Sequence, residues 1–308
     1  MQFLNLYLVT FNCARNPIDV DLFATHLFDV LPSPVRGRNN SPSFEPPELV
    51  VLYLQEVAPI AYAFLGGSYL TPYLNLFDRA VDQAVSKRWG IGYSNLVRDN
   101  TGMTGLLVYA RSDVADKVSR IDTAHVGVGF LEMGNKGAVG ARLEYSTNEE
   151  DSQPMNLTFV AAHLAPMEFA VQQRNEDWRS IVERLVFSGR DAASGRRSID
   201  GEAGSEERTA LLRDSTEDPT RQGLEGMFVP TTYLFFGGDL NYRTSSVGPR
   251  KGDHVRFPRA NAHQDDPAHY SQLLKDDQLA REMRLSKCLH GLSEAPINFP
   301  PTYKYSGM

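Results

Sequence analysis

The sequence predicts an α/β or α+β sandwich. Two observations carry this: seven short β-like runs rich in Val, Leu, Phe and Tyr, and only two helical patterns among them. A doubly wound parallel sheet would alternate strand and helix regularly, and this chain does not. In order, the strand-like runs are 4–11 (LNLYLVTF), 48–57 (ELVVLYLQEV), 90–97 (GIGYSNLV), 104–110 (TGLLVYA), 137–145 (GAVGARLEY), 155–164 (MNLTFVAAHL) and 232–240 (TYLFFGGDL). Helical spacing in 19–31 aligns Val20, Phe23, Leu27 and Val30. In 167–187 it aligns Phe169, Val171, Trp178, Ile181, Leu185 and Val186.

The stretch 32–48 is rich in Pro, Ser and Asn and reads as a surface loop. Residues 188–226 are charged, rich in Gly and Ser and poor in large apolar side chains, so they read as a disordered insertion within one domain spanning 1–308. No apolar run reaches the roughly 18 residues of a membrane-spanning helix. The opening MQFLNLYLVTF alternates as a strand does and lacks the basic start of a signal peptide. Cys13 and Cys288 are the only cysteines, which points away from a disulfide framework and toward a reducing, cytoplasmic setting. A formal charge of −7 argues against a dedicated nucleic-acid binder, but leaves room for a local basic pocket that takes an anionic substrate.

Four of the strands finish on polar side chains: Asn12, then Gln55 and Glu56, then His163, then Asp239 followed by Asn241. A single polar strand end marks the start of a loop. Four together supply what metal-assisted phosphate-ester hydrolysis needs. Glu56 offers a carboxylate to Mg²⁺ and Asn12 a neighbouring amide. Asp239 can deprotonate water, while Asn241 and His163 can donate hydrogen bonds to phosphoryl oxygens. With no HxxxH or CxxC pair, the set suits Mg²⁺ better than Zn²⁺. In FFGGDLNYR (235–243), strand alternation aims Asp239 and Asn241 the same way and turns Leu240 back to the core. Its two glycines allow close backbone approach near the substrate.

These residues fall in motifs that resemble the inositol polyphosphate 5-phosphatases of the endonuclease/exonuclease/phosphatase superfamily. The motifs run in order as TFNCARN (10–16), YLQEV (53–57), GNKGAVGARL (134–143), AAHLAPMEFAVQQRNEDW (161–178), GGDLNYR (237–243) and FPPTYK (299–304). The resemblance implies two packed, mostly antiparallel β-sheets flanked by helices, a Mg²⁺-dependent mechanism, and a phosphoinositide lipid or soluble inositol phosphate as substrate, met at a peripheral membrane surface. By this resemblance Asn12 and Glu56 bind the metal, and His163, Asp239 and Asn241 are catalytic. Asn175, Tyr303 and Lys304 hold substrate phosphates, with Lys136 and Arg243 as further basic contributors. Without it, Lys136 reads as a solvated turn lysine, and Arg174 and Asn175 as exposed helix residues.

His125, His254, His263, His269 and His290 match no motif and read as structural or surface residues. The basic stretch 241–260 reads as a solvated loop rather than a membrane-facing one. The family pattern continues past PTYK with an Asp-Arg pair and a Ser-Asp-His motif, which the chain, closing on PPTYKYSGM, lacks. The resemblance then implies that the last strands of one sheet are missing and that turnover is impaired. An inactive phosphoinositide-binding form and, less favoured by the charge, a nuclease of the same superfamily are the other readings.

Overall fold

The computed structural model describes residues 4–31, 45–64, 67–128, 136–146, 153–188, 224–244, 263–267 and 269–302. Tyr303, Lys304, His254 and most of the 32–48, 188–226 and 241–260 stretches lie outside them. Chain contacts divide the protein into two compact units, Met1–His163 with Ile181–Asp239, and Leu164–Ser180 with Leu240–Met308.

The first unit holds two four-stranded sheets. One runs in the order β1 (Leu6–Asn12), β2 (Leu49–Gln55), β4 (Thr104–Arg111), β3 (Tyr93–Thr101). The other runs β10 (Thr232–Asp239), β7 (Met155–His163), β6 (Gly137–Tyr145), β5 (Val118–Gly127). Each sheet is antiparallel except for one parallel pair, β1 with β2 and β10 with β7. The expected mostly antiparallel sandwich is therefore the observed one.

Every residue of β2 is buried, which explains why its sequence is a continuous apolar run rather than an alternating one. Its Leu49, Val51 and Tyr53 meet Leu106, Val108, Val139, Leu143 and Phe159 in the core between the sheets. Its Val50, Leu52 and Leu54 face the helices α1 (Val20–His26) and α2 (Thr71–Trp89) in a second core with Phe77, Val81 and Val85. Pro72 opens α2, and Gly90 closes it at φ 69, a left-handed cap that favours glycine.

Three expectations need correction. Helix α1 ends at His26, so Val30 leaves its apolar face and is exposed. Helix α3 (Val171–Arg184) starts later than the apolar spacing suggests; Trp178 and Ile181 are buried, but Phe169 precedes the helix and is 85% exposed. The ends of the 188–226 stretch are ordered: β8 (Val186–Ser188) pairs with β9 (Leu224–Gly226) and closes its two ends on each other.

The second unit contains the first part of α3, a 3₁₀ turn at Tyr270–Asp276, and α4 (Gln278–Arg284). Asp277 caps α4 by accepting from the Ala280 amide at 2.7 Å. His269 caps the 3₁₀ turn, and His290 lies edge-on to Trp178. Both cysteines are free and buried, and burial pushes the Cys13 thiol up to about 12. No helix among the described residues is long and apolar enough to cross a membrane.

Candidate active site

The two parallel pairs explain how the polar strand ends meet. Parallel neighbours finish at the same rim, so register sets Asn12 beside Gln55 in one sheet and Asp239 beside His163 in the other. The sheets join there: Asn12 Nδ2 donates to Asp239 Oδ2 at 2.8 Å. His163 Nε2 stands 3.6 Å from the same oxygen. Lys136 reaches the His163 ring from the start of β6; its ammonium is hydrogen-bonded to Nε2 and lies 3.3 Å from Nδ1. It is half-buried, and the solvated-turn reading does not hold. Glu56 follows Gln55 at φ 50, a left-handed position that costs a non-glycine residue energy. Its Oε2 is 3.2 Å from Arg15 Nε.

His163 is neutral here. Burial first and the Lys136 ammonium second push its imidazole down to about 3, against the pull of Asp239. An unfolded chain protonates this group near its ordinary value of about 6.5. The unfolded state therefore binds more protons below that pH. This contribution to stability is complete above about pH 6.5 and is lost as pH falls toward 3, by about 1.4 kcal/mol per pH unit at most. Urea unfolding at about pH 7 and about pH 5 checks it: wild type should lose more stability than His163→Gln, and equal losses would contradict the assignment.

Asn12 is oriented on both sides, since its Oδ1 accepts from the Ala14 amide at 2.9 Å while its Nδ2 faces Asp239. Among the described residues no group of three or more His, Cys, Asp or Glu side chains could hold a metal. A cation would rest on the Glu56 carboxylate, the Asn12 amide oxygen and water. That all-oxygen set fits a hard divalent ion that keeps much of its hydration shell.

The second unit holds Asn175, Asn241 and Arg243. The β10 strand ends at Asp239, and Asn241 stands at φ 57, so the alternation that would pair their side chains on one face does not extend to it. Asn241 Nδ2 donates to Leu164 O at 3.0 Å and its Oδ1 accepts from Arg243 at 3.0 Å. Asn175 Oδ1 accepts from the Tyr242 hydroxyl at 2.7 Å, and its Nδ2 donates to Glu282 at 2.8 Å. Arg174 is fully buried rather than exposed, with its guanidinium over the Tyr242 ring. Tyr242, Gln278 and Glu282 are partners that the motif reading passed over.

A model of the endonuclease/exonuclease/phosphatase family 2 matches residues 9–308. The chain belongs to that family. Among curated relatives, type I inositol polyphosphate 5-phosphatase 13 of Arabidopsis thaliana is 30% identical over 208 residues, covering 66% of this chain and 16% of that protein. Polyphosphatidylinositol phosphatase INP53 of Saccharomyces cerevisiae is 27% identical over 265 residues, covering 84% of this chain and 19% of the relative. The family member described here thus spans less than a fifth of those two relatives. Its fold resembles the inositol polyphosphate 5-phosphatase domain of SPsynaptojanin, solved with inositol (1,4)-bisphosphate and calcium ion, at TM-score 0.64 and 22% identity, covering 98% of this chain and 69% of that one. Cimex nitrophorin, at TM-score 0.52 and 16% identity, resembles it too, so the fold alone does not name a reaction.

Proposed function

We propose that this chain hydrolyses the 5-phosphate of phosphoinositides or inositol polyphosphates with Mg²⁺ as cofactor. The observation that carries the reading is the junction of Asn12, Asp239, His163 and Lys136, reached from four strands of a chain whose relatives are named as inositol polyphosphate 5-phosphatases. Mg²⁺ bound at Glu56 would withdraw charge from the scissile phosphate. The chain's own residues do the rest. Asn12 holds the Asp239 carboxylate in one orientation, and that carboxylate takes a proton from the attacking water. Lys136 supplies positive charge against the phosphoryl oxygens, and neutral His163 hydrogen-bonds without adding to that charge. Asn241 offers an amide, while Asn175, Arg243, Tyr303 and Lys304 contribute to phosphate binding. The setting is cytoplasmic, at a membrane surface when the substrate is a lipid.

Phosphate release from phosphatidylinositol 4,5-bisphosphate vesicles and from soluble inositol trisphosphate tests this. Release should require Mg²⁺, fall to background in EDTA and return when Mg²⁺ is restored. Vesicle binding without release from either substrate would replace the enzyme by a binding form. Cleavage of plasmid DNA in place of both would make the chain a nuclease.

A further inference from the structure

The inward face of α4 carries two polar side chains, Gln278 at 1% exposure and Glu282 at 3%. A packed helix normally presents apolar residues there. Burying an amide and a carboxylate is unfavourable unless both are hydrogen-bonded. Both are. Gln278 Oε1 accepts from Arg174 Nη2 at 2.7 Å and from the Arg243 backbone amide at 3.0 Å. Its Nε2 donates to Glu168 O at 3.1 Å, and its own backbone amide donates to Arg243 O at 2.9 Å. Arg174 Nη1 in turn donates to Ala165 O at 3.2 Å and Met167 O at 2.6 Å. One turn along α4, Glu282 accepts from Asn175.

The face of α4 thus answers Arg174 and Asn175 of α3 residue for residue. It also helps tie together two pieces of chain that are distant in sequence. The loop 164–168 leaves directly from His163, and the segment 240–243 leaves directly from Asp239, the register partners at the ends of β7 and β10. Asn241 closes the same block through Leu164 O.

We propose that Gln278 is a positioning residue: it fixes the segment carrying Asn241 and Arg243 to the loop that follows His163, and Glu282 does the same for Asn175. The catalytic part of this rests on the phosphatase reading above; the structural part does not. The chemistry is specific to an amide. Methionine fills a similar volume but removes the acceptor shared by Arg174 Nη2 and the Arg243 amide and the donor to Glu168 O, leaving Arg174 only its bonds to Ala165 O, Met167 O and, at 3.4 Å, Glu168 O. Glutamate can still accept from Arg174 and Arg243 and fails only toward Glu168 O.

That graded loss defines the experiment, made on the full chain with Gln278→Met and Gln278→Glu. Hydrogen exchange is followed in peptides covering 164–170 and 240–244, and phosphate release from inositol trisphosphate with Mg²⁺ is measured alongside. Gln278→Met should speed exchange in both peptides by about tenfold or more while β2 and β4 stay protected. It should lower kcat by about tenfold or more with KM within about threefold, and Gln278→Glu should recover protection at 240–244 and most of kcat. Unchanged exchange in both peptides overturns the proposal, as does a loosened pair of segments with unchanged kcat. Should wild type release no phosphate, the phosphatase reading fails. The exchange pattern then decides alone: loosening confined to the two segments supports the tie, and uniform loosening refutes it.

Discussion

Asp239→Asn is expected to reduce phosphate release by about a thousandfold, within the range for loss of a general base. The substitution is nearly isosteric. An asparagine carbonyl at the same place can still accept from Asn12 Nδ2, which now donates to Asp239 at 2.8 Å. The junction of the sheets therefore survives, and only the capacity to take a proton goes. Neutral His163 is already hydrogen-bonded to the Lys136 ammonium, so it does not stand in for the lost base. Thermal melting and vesicle binding should match wild type while turnover disappears. Turnover within about tenfold of wild type would remove Asp239 from the chemistry, and a parallel collapse of binding and melting would make its role structural.

The second large effect concerns stability. Gly238→Ala should destabilise the fold by about 3 kcal/mol or more. Gly238 sits at φ 132, and an added Cβ would fall 2.0 Å from Ala162 O and 2.9 Å from Ala162 N. These are backbone atoms of the paired strand and cannot swing aside without breaking the β10–β7 pairing. At Gly237 the added carbon meets the Tyr53 ring at 2.9 Å instead, a side chain rather than backbone, and φ there is not left-handed. Urea denaturation should rank Gly238→Ala well below Gly237→Ala; equal midpoints would show that the strand absorbs the clash.

The same two glycines show how far the sequence could be read. FFGG signals close approach, and within the protein the close neighbours at these glycines are Tyr53 and Ala162. Residue spacing identifies a demand for space without naming its neighbour. β2 was legible because burial on both faces forces an unbroken apolar run. β5 was not: its apolar residues are sparse, and one of them, Ile121, falls on the exposed face. Helix α2 is a different failure. Pro72, then Leu74, Phe77, Val81 and Val85, then Gly90 is an amphipathic helix with both ends marked, and that signal was there to be used.

At the site, the strand-end residues could be found one strand at a time, whereas Gln278 could not. In DDQLAREMR it has the look of a solvated helix surface, and its burial depends on Arg174 and Arg243 arriving from distant chain. Asn241 was assigned its direction by strand alternation, which ends two residues too early.

The two parallel pairs also bear on the order of folding. β3–β4, β5–β6 and β6–β7 join strands that follow one another along the chain. β1–β2 and β7–β10 span longer connections, and the bond between Asn12 and Asp239 closes over a separation of 227 residues. Loop-closure entropy makes the most distant pairings the slowest to form and the least stable on their own. The bond between the carboxylate proposed to activate water and its amide is therefore expected to be among the last to form. On the proposed function, the water-activating site would be completed only by the longest closure of the fold.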